Sequence, residues 1–221
     1  MNDGFQFVDI IFFAMVAAFL VLRLRSVLGR RTGEERPPVV RPESAGDNVV
    51  ALPDRREPVP GFETPAPGSP VADGVVAIQR NDPSFTPESF LSGARAAFGM
   101  IVAAYAAGDA PALRPLLSDE VFTNFSTVID ARRKAGETLD TEVVALKSLN
   151  LTDAKVEGSF ALVTVTFVSD QVNVIRDAQG EVVDGDPTRI AEVTDIWTFA
   201  RDIRAKDPNW QLVATRSPDE A

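Results

Sequence analysis

Hydrophobic and polar positions divide this 221-residue chain into three segments. Residues 10–22 form an uninterrupted apolar run, residues 34–80 show no lasting apolar periodicity, and helical and strand periodicities begin at residue 81. The pattern predicts a transmembrane anchor over 1–33, a disordered Pro-rich linker over 34–80, and one globular domain over 81–221.

The globular segment opens with helical periodicity. Thr86 and Pro87 are a typical helix start, and Gly108 is a stop signal. A short second helix is predicted after Asp109 and a third from Ser118 to about residue 136. Apolar residues three or four positions apart form the stripes of the two longer helices: Phe90, Ala94, Phe98, Ile101, Tyr105, Val121, Phe122, Phe125, Val128 and Ile129.

Strand alternation follows these helices. Residues 160–169, 190–201 and 210–215 alternate in polarity or are rich in β-branched and aromatic side chains, and turn residues separate them. Helices first and strands afterwards indicate an α+β fold. We expect three helices packed on a curved antiparallel sheet of four or five strands, which form a cone with an apolar throat.

The anchor prediction depends on the residues around the apolar run. Extension to residues 5–24 gives twenty residues, enough to cross about 30 Å of hydrocarbon. An arginine collar follows the run, and basic residues favour the cytoplasmic side. We therefore predict a single-pass protein of a bacterial inner membrane, with the N-terminus outside and the domain in the cytoplasm. A cleaved signal peptide and a helix buried in a partner or lying in the interface stay open. The collar consists of Arg23, Arg25, Arg30 and Arg31.

Composition excludes several kinds of chemistry. The chain has no Cys and no His, so thiolate and imidazole catalysis and the metal sites built from these groups are absent. Its net charge is −10 at pH 7, which argues against nucleic acid as a partner. Residues 81–221 hold 13 Lys and Arg against 22 Asp and Glu, so the acidity belongs to the domain. We expect no cofactor, no metal and no enzymatic activity.

Several short sequence motifs, taken together in their order along the chain, resemble those of a known family. They cover residues 86–216, and each is weak alone: Phe90-Leu91, Ala97-Phe98, Gly108-Asp109, Leu116-Leu117-Ser118, Val121-Phe122, Phe125, Val163-Thr164-Val165, Phe167, Arg176-Asp177, Gly185-Asp186-Pro187, Asp195-Ile196-Trp197, Phe199, Arg201-Asp202, Trp210 and Leu212. Together they resemble the TimA-type bacterial inner-membrane adaptors. Those are relatives of the forty-four-kilodalton adaptor subunit of the mitochondrial inner-membrane translocase (TIM).

The resemblance implies both a fold and a role. The fold is the cone of nuclear-transport-factor-two-like proteins, and the role is that of a membrane-tethered adaptor which meets lipid and a protein complex. A Pro-rich linker replaces the long charged region that recruits the chaperone in the mitochondrial relative. Recruitment of an Hsp70-type chaperone is therefore in doubt.

Two sets of apolar residues are candidate contact sites. The first is mainly expected to be core, and the alternative is that it lines a hydrophobic pocket in the cone. The second lies on the first helix of the domain, which is apolar enough to be a buried helix but could also touch the membrane or a partner. The pocket candidates are Phe98, Ile101, Phe122, Phe125, Val165, Phe167 and Trp197, and the contact candidates are Phe90, Leu91 and Val102.

Polar candidates are fewer. Asp195 could be a strand-end residue, an ion-pair partner of Arg201 or Arg176, or a lone base in an apolar pocket. The basic triplet 132–134 suits a helix C-terminus, although a phosphate or an acidic partner could also meet it. Residues 184–186 indicate a turn, because they offer too few oxygen ligands for a Ca²⁺ loop.

The function expected from these features is a membrane-tethered, non-enzymatic adaptor or scaffold at the cytoplasmic face of the inner membrane. Its cone domain would bind lipid, an unidentified membrane protein or complex, or both, in protein translocation or envelope assembly. Two alternatives stay open: a small-ligand carrier or carboxylate-based enzyme of the same fold, and a structural stalk subunit of an envelope complex.

Overall fold

A computed structural model describes residues 65–205 and 207–218. The predicted anchor, its arginine collar (Arg23, Arg25, Arg30 and Arg31) and the linker up to residue 64 lie outside the described residues. The domain predicted over 81–221 lies almost entirely within them.

The described residues form four helices. These are α1 (Pro70–Asn81), α2 (Pro87–Ala107), α3 (Ala110–Leu113) and α4 (Asp119–Lys134). The last three are the helices expected from the periodicity.

Helix α1 corrects the predicted linker, which was expected to continue to residue 80. Ser69 caps this helix by accepting a hydrogen bond from the amide of Ala72, and Pro70 occupies its first turn. Ile78 is 0% exposed and Val75 is buried beside it, so α1 is part of the domain core. Val71 is half-buried against the same core, so α1 has an apolar stripe of only three residues, at 71, 75 and 78, which is a short signal for a helix.

Five strands form one antiparallel sheet: β1 (Thr138–Glu157), β2 (Phe160–Arg176), β3 (Val182–Gly185), β4 (Ala191–Asp202) and β5 (Gln211–Arg216). The order is β1-β2-β4-β5, and β3 pairs with the end of β2. Three register shifts interrupt the pairing of β1 with β2. Such bulges bend a strand and increase its twist, and so they account for a curved sheet.

The core lies between the helices and one face of the sheet. On β2, the side chains of Ala161, Val163, Val165 and Phe167 are fully buried on that face. Helices α1 and α2 pack against β1, and the aromatic rings of α2 meet those of β2 and β4. The predicted α+β class, with helices on an antiparallel sheet, is therefore confirmed.

Candidate functional site

The predicted pocket residues are packed against one another. Phe98 stacks on Phe167 with ring centroids 4.6 Å apart and an interplanar angle of 14°. The Trp197 ring lies 4.9 Å from Phe98 and 5.3 Å from Phe167. Ile101, Phe125 and Val165 are buried in the same cluster, and Phe122 packs half-buried at its edge. The structure thus brings the set together as hydrophobic core.

The predicted contact residues on α2 lie on its inner side. Leu91 is 0% exposed and Phe90 is 8% exposed, so both side chains pack mainly in the domain core. Val102 is half-buried. The exposed side of α2 carries other residues, among them Gly93 and Met100, which is 51% exposed.

A surface groove opens where α2 begins. It encloses about 400 Å³ between the first turns of α2, the segment that follows α1, and the β4–β5 connection. We call it the α2 groove. Its apolar lining includes Phe85, Phe90, Ala94, Leu116, Phe199 and Trp210, and Met100 lies among its exposed residues.

Three aromatic rings form the wall of the α2 groove. The Phe90 and Trp210 centroids lie 4.8 Å apart at an interplanar angle of 69°. Phe85 lies 5.8 Å from each of them. Edge-to-face and tilted pairs at this range stabilise one another beyond simple burial, so the wall is a fixed surface.

An ion pair closes one end of the groove. Arg201 on β4 donates from Nη2 to a carboxylate oxygen of Asp82 at 2.5 Å, and the two side chains are 15% and 17% exposed. The Arg201 guanidinium also lies 5.3 Å from the centroid of the Trp210 ring. Its Nε–H is buried and has no hydrogen-bond partner within the described residues. The groove therefore combines apolar walls with a charged end.

Asp82 is held in its ionised form by its neighbours. The Ser84 hydroxyl donates to its carboxylate at 2.6 Å, and this hydrogen bond does most to lower the pKa of Asp82. Burial acts in the opposite direction, and Arg201 lowers the pKa further.

The ion pairing differs from the sequence-based alternatives. Arg201 pairs with Asp82 rather than with Asp195, and Arg176 pairs with Asp140 at 3.1 Å. Asp82 and Arg201 are 119 residues apart, so no local pattern in the sequence indicates their contact.

Asp195 lies on the helix-covered face of β4, in register with Phe167 of β2. Burial raises its pKa to about 6, while a hydrogen bond to the Trp197 side chain opposes the rise. This is the inward carboxylate that the enzyme or carrier alternative requires. An indole N–H does not exchange protons near neutral pH, so the bond to Trp197 orients Asp195 without supplying a second acid or base.

The basic triplet at the end of α4 joins two helices. Arg132 donates from Nη2 to the carbonyl oxygens of Tyr105 at 2.7 Å and Ala106 at 3.1 Å, at the C-terminus of α2. Arg133 is exposed and pairs with Asp130 on the same helix. The triplet therefore places positive charge at the C-terminal ends of α4 and α2, where it interacts favourably with the helix dipoles, as expected from the sequence.

The acidic turn after β3 is a structural turn. Gly185 has φ +84°, and Asp186 accepts hydrogen bonds from the amide and hydroxyl of Thr188. Among the described residues there is no group of three acidic side chains that could hold a metal ion.

Comparison with known proteins identifies the family of the domain. The family model of the Tim44-like domain matches residues 71–217. The mouse mitochondrial import inner membrane translocase subunit TIM44 is 23% identical over 146 residues, which are 65% of this chain and 32% of that protein. A probable subunit tin-44 of the same translocase from Caenorhabditis elegans is 25% identical over 116 residues, which are 51% of this chain and 27% of that protein. The chain thus spans about a third or less of these relatives.

The solved structures that resemble this chain share less sequence identity with it than these relatives do. The intermembrane space region of the chloroplast protein ARC6 is similar with a TM-score of 0.42 and 12% identity, over 57% of this chain and 95% of that one. A protein of the NTF2-like family from Streptomyces avermitilis gives a TM-score of 0.32 and 14% identity, over 59% and 96%.

Proposed function

Because this chain belongs to the Tim44-like domain family, we propose that it is a membrane-tethered, non-enzymatic adaptor that binds a protein partner through the α2 groove. Its relatives are named as subunits of the mitochondrial inner-membrane translocase, which supports a role beside a membrane-bound protein complex. The observation that carries the proposal is the groove itself.

The groove has the features of a protein-binding hot spot. Its wall is made of rigid aromatic rings, and such pockets accept a large apolar side chain from a partner. About 400 Å³ is sufficient for one or two such side chains. Asp82 and Arg201 line the charged end, where a polar group of a partner can form a hydrogen bond.

The segments before the domain would supply location and reach. The predicted anchor holds the chain at the bilayer, and the Pro-rich segment gives extended reach of about 3.1 Å per residue. Tethering raises the effective concentration of the domain near membrane proteins, so modest affinity at the groove suffices. Because the domain is acidic, anionic lipid surfaces repel it, and the anchor is the part that we expect to contact lipid.

A photo-crosslinking amino acid placed at Met100 tests this role in native membranes. We expect a reproducible adduct with one protein or a small set of proteins, identified by mass spectrometry. The matched control is Gln179, which is exposed on the turn between β2 and β3, away from the groove. Equal adducts from both positions, or lipid adducts alone at Met100, would contradict a protein partner in the groove.

Asp195 favours a second candidate function, a small-ligand carrier or carboxylate-based enzyme. A carboxyl with a pKa of about 6 on the covered face of the sheet resembles a general base. Native mass spectrometry of the full chain distinguishes the two roles. A bound small molecule that is lost in Asp195→Asn and kept in Met100→Ala supports the carrier, whereas no bound molecule in the wild type rejects it.

A further inference from the structure

A tight turn immediately before α1 sets the direction from which the chain enters the domain. The amide of Ser69 donates to the carbonyl oxygen of Ala66 at 3.0 Å, and Gly68 has φ +75°. Because the ring of Pro67 fixes its own φ at about −65°, this combination is a type II turn, which reverses the direction of the chain. Traced backwards from Ala66, the chain therefore runs alongside α1 towards the C-terminal end of that helix.

The α2 groove lies at this end of α1. Asp82 directly follows the helix and lines the groove together with Ser84 and Phe85. The twelve residues of α1 cover about 18 Å, and an extended Pro-rich chain covers the same distance in about six residues. Pro65 is half-buried, so the chain still contacts the domain where the description begins. Residues 58–62 are therefore the part of the preceding chain that reaches the groove.

The composition of residues 58–62 suits an aromatic groove. They are Pro58-Val59-Pro60-Gly61-Phe62 and carry no charge. Phe62 is the only aromatic residue between positions 34 and 84 of the sequence. Pro-rich segments favour the extended polyproline II conformation before they bind, so they lose little entropy when they dock on aromatic rings. The segment thus offers one aromatic anchor beside stiff neighbours.

The wall of the α2 groove complements this anchor. The rings of Phe85, Phe90 and Trp210 have centroid separations of 4.8 to 5.8 Å, and a further ring can pack against their edges and faces. The volume of about 400 Å³ accommodates the Phe62 ring and a neighbouring proline. The path of the chain and the chemistry of the groove therefore select the same occupant.

We propose that residues 58–62 of the same chain occupy the α2 groove when no partner is bound, and that a partner displaces them. This inference rests on the proposed function and adds the regulation of the same site. Because the segment is attached only a few residues from the domain, its effective concentration at the groove is millimolar, and weak intrinsic affinity is enough to fill the site. The apparent affinity of a partner then falls in proportion to the fraction of grooves that are empty.

Photo-crosslinking of the purified full chain in detergent tests the occupancy without any partner. A short diazirine amino acid replaces Met100 in the groove, and trypsin digestion follows irradiation. We expect a monomer-sized product in which the peptide 57–80 is joined to the peptide 96–132, with the attachment at residues 58–62. The same amino acid at Gln179, exposed on the turn between β2 and β3, should give no attachment to these residues.

Two matched variants sharpen the test. Phe62→Ala should reduce the product about tenfold because it removes the aromatic anchor, whereas Thr64→Ala in the same segment should change it less than about twofold. In native membranes, Phe62→Ala should raise the protein adducts formed from Met100 by about two- to tenfold, because more grooves are empty.

Three results would overturn the inference. The first is a wild-type product with no attachment to residues 58–62, and the second is an equal yield of that product, or unchanged protein adducts, in Phe62→Ala. The third is a dimer-sized product of the same two peptides, which would assign the segment to a second copy. Failure of the proposed function looks different: the internal product forms, but neither the wild type nor Phe62→Ala gives protein adducts from Met100 in native membranes.

Discussion

Gly74 allows α1 to lie directly against the backbone of β1. A Cβ built at this position would be 1.7 Å from the carbonyl oxygen of Ala154, and backbone cannot move aside as a flexible side chain can. The glycine therefore permits the close approach that buries Ile78.

Gly74→Ala is expected to destabilise the domain by about 2–3 kcal/mol, because α1 must shift off the sheet. Gly99→Ala on α2 is the matched control, since a Cβ there meets nothing within 4 Å. The control should be stabilising by about 0.5–1 kcal/mol through helix propensity. Urea unfolding followed by tryptophan fluorescence reports on the domain alone, because Trp197 and Trp210 both lie in it. Equal effects of the two substitutions would disprove the close contact.

Asp195 makes the stability of the domain depend on pH. Its pKa is raised to about 6 in the folded state, so the folded state binds a proton more tightly than the unfolded state. The stabilising contribution is complete below about pH 4 and is lost as the pH rises towards 6 and beyond.

Asp195→Asn removes this titration and keeps an oxygen that can accept from Trp197. We expect the variant to match the wild type near pH 4 and to be more stable by roughly 2–3 kcal/mol at pH 8. Urea unfolding at both pH values measures the difference. A constant difference between variant and wild type across this range would show that the carboxyl is not buried as described.

At the scale of elements, the spacing of apolar residues predicted the helices and strands whose buried side chains form a long, regular stripe. The stripe of Phe90, Phe98 and Ile101 gave α2, and the alternation over 160–169 gave the buried face of β2. Helix α1 is not evident from periodicity because its apolar stripe is short, with only Val71, Val75 and Ile78 facing the core, and it follows a Pro-rich segment. The α2 groove could not be predicted either, since its parts come from distant positions such as Asp82 and Arg201. Aromatic content indicated a pocket, but only packing decides which rings fill the core.

Arg132 of helix α4 forms hydrogen bonds to the C-terminal end of helix α2. Arg132→Ala removes two hydrogen bonds to the carbonyls that end α2, and we expect a loss of about 1–2 kcal/mol. Arg133→Ala removes only an exposed ion pair and should cost less than about 0.5 kcal/mol. Unfolding midpoints in urea compare the two. A larger effect at Arg133 would contradict the assignment.

At the scale of the whole molecule, we propose two roles for separate parts of the chain. In this proposal the predicted anchor would hold the molecule at the membrane, and the α2 groove would bind a partner. Absence of His and Cys leaves carboxylates as the main chemical resource, and Asp195 is the carboxyl with a pKa raised by burial on the covered face of the sheet.

Alkaline extraction of membranes tests the anchor. We expect the full chain to remain in the pellet and a chain lacking residues 1–33 to become soluble, because the apolar run and its arginine collar would be removed together. Release of the full chain at alkaline pH would contradict a membrane-spanning anchor.

The central claim is that a protein partner occupies the α2 groove. Gly93 lines the groove and has open space beside it, so Gly93→Phe fills the groove without disturbing the core. Ser92→Phe places the same ring on the neighbouring exposed position outside the groove. Quantitative mass spectrometry of proteins that copurify from crosslinked native membranes compares both variants with the wild type. We predict that at least one membrane-associated protein falls about tenfold with Gly93→Phe and is retained with Ser92→Phe. The same set of proteins at the same level in all three would contradict the claim.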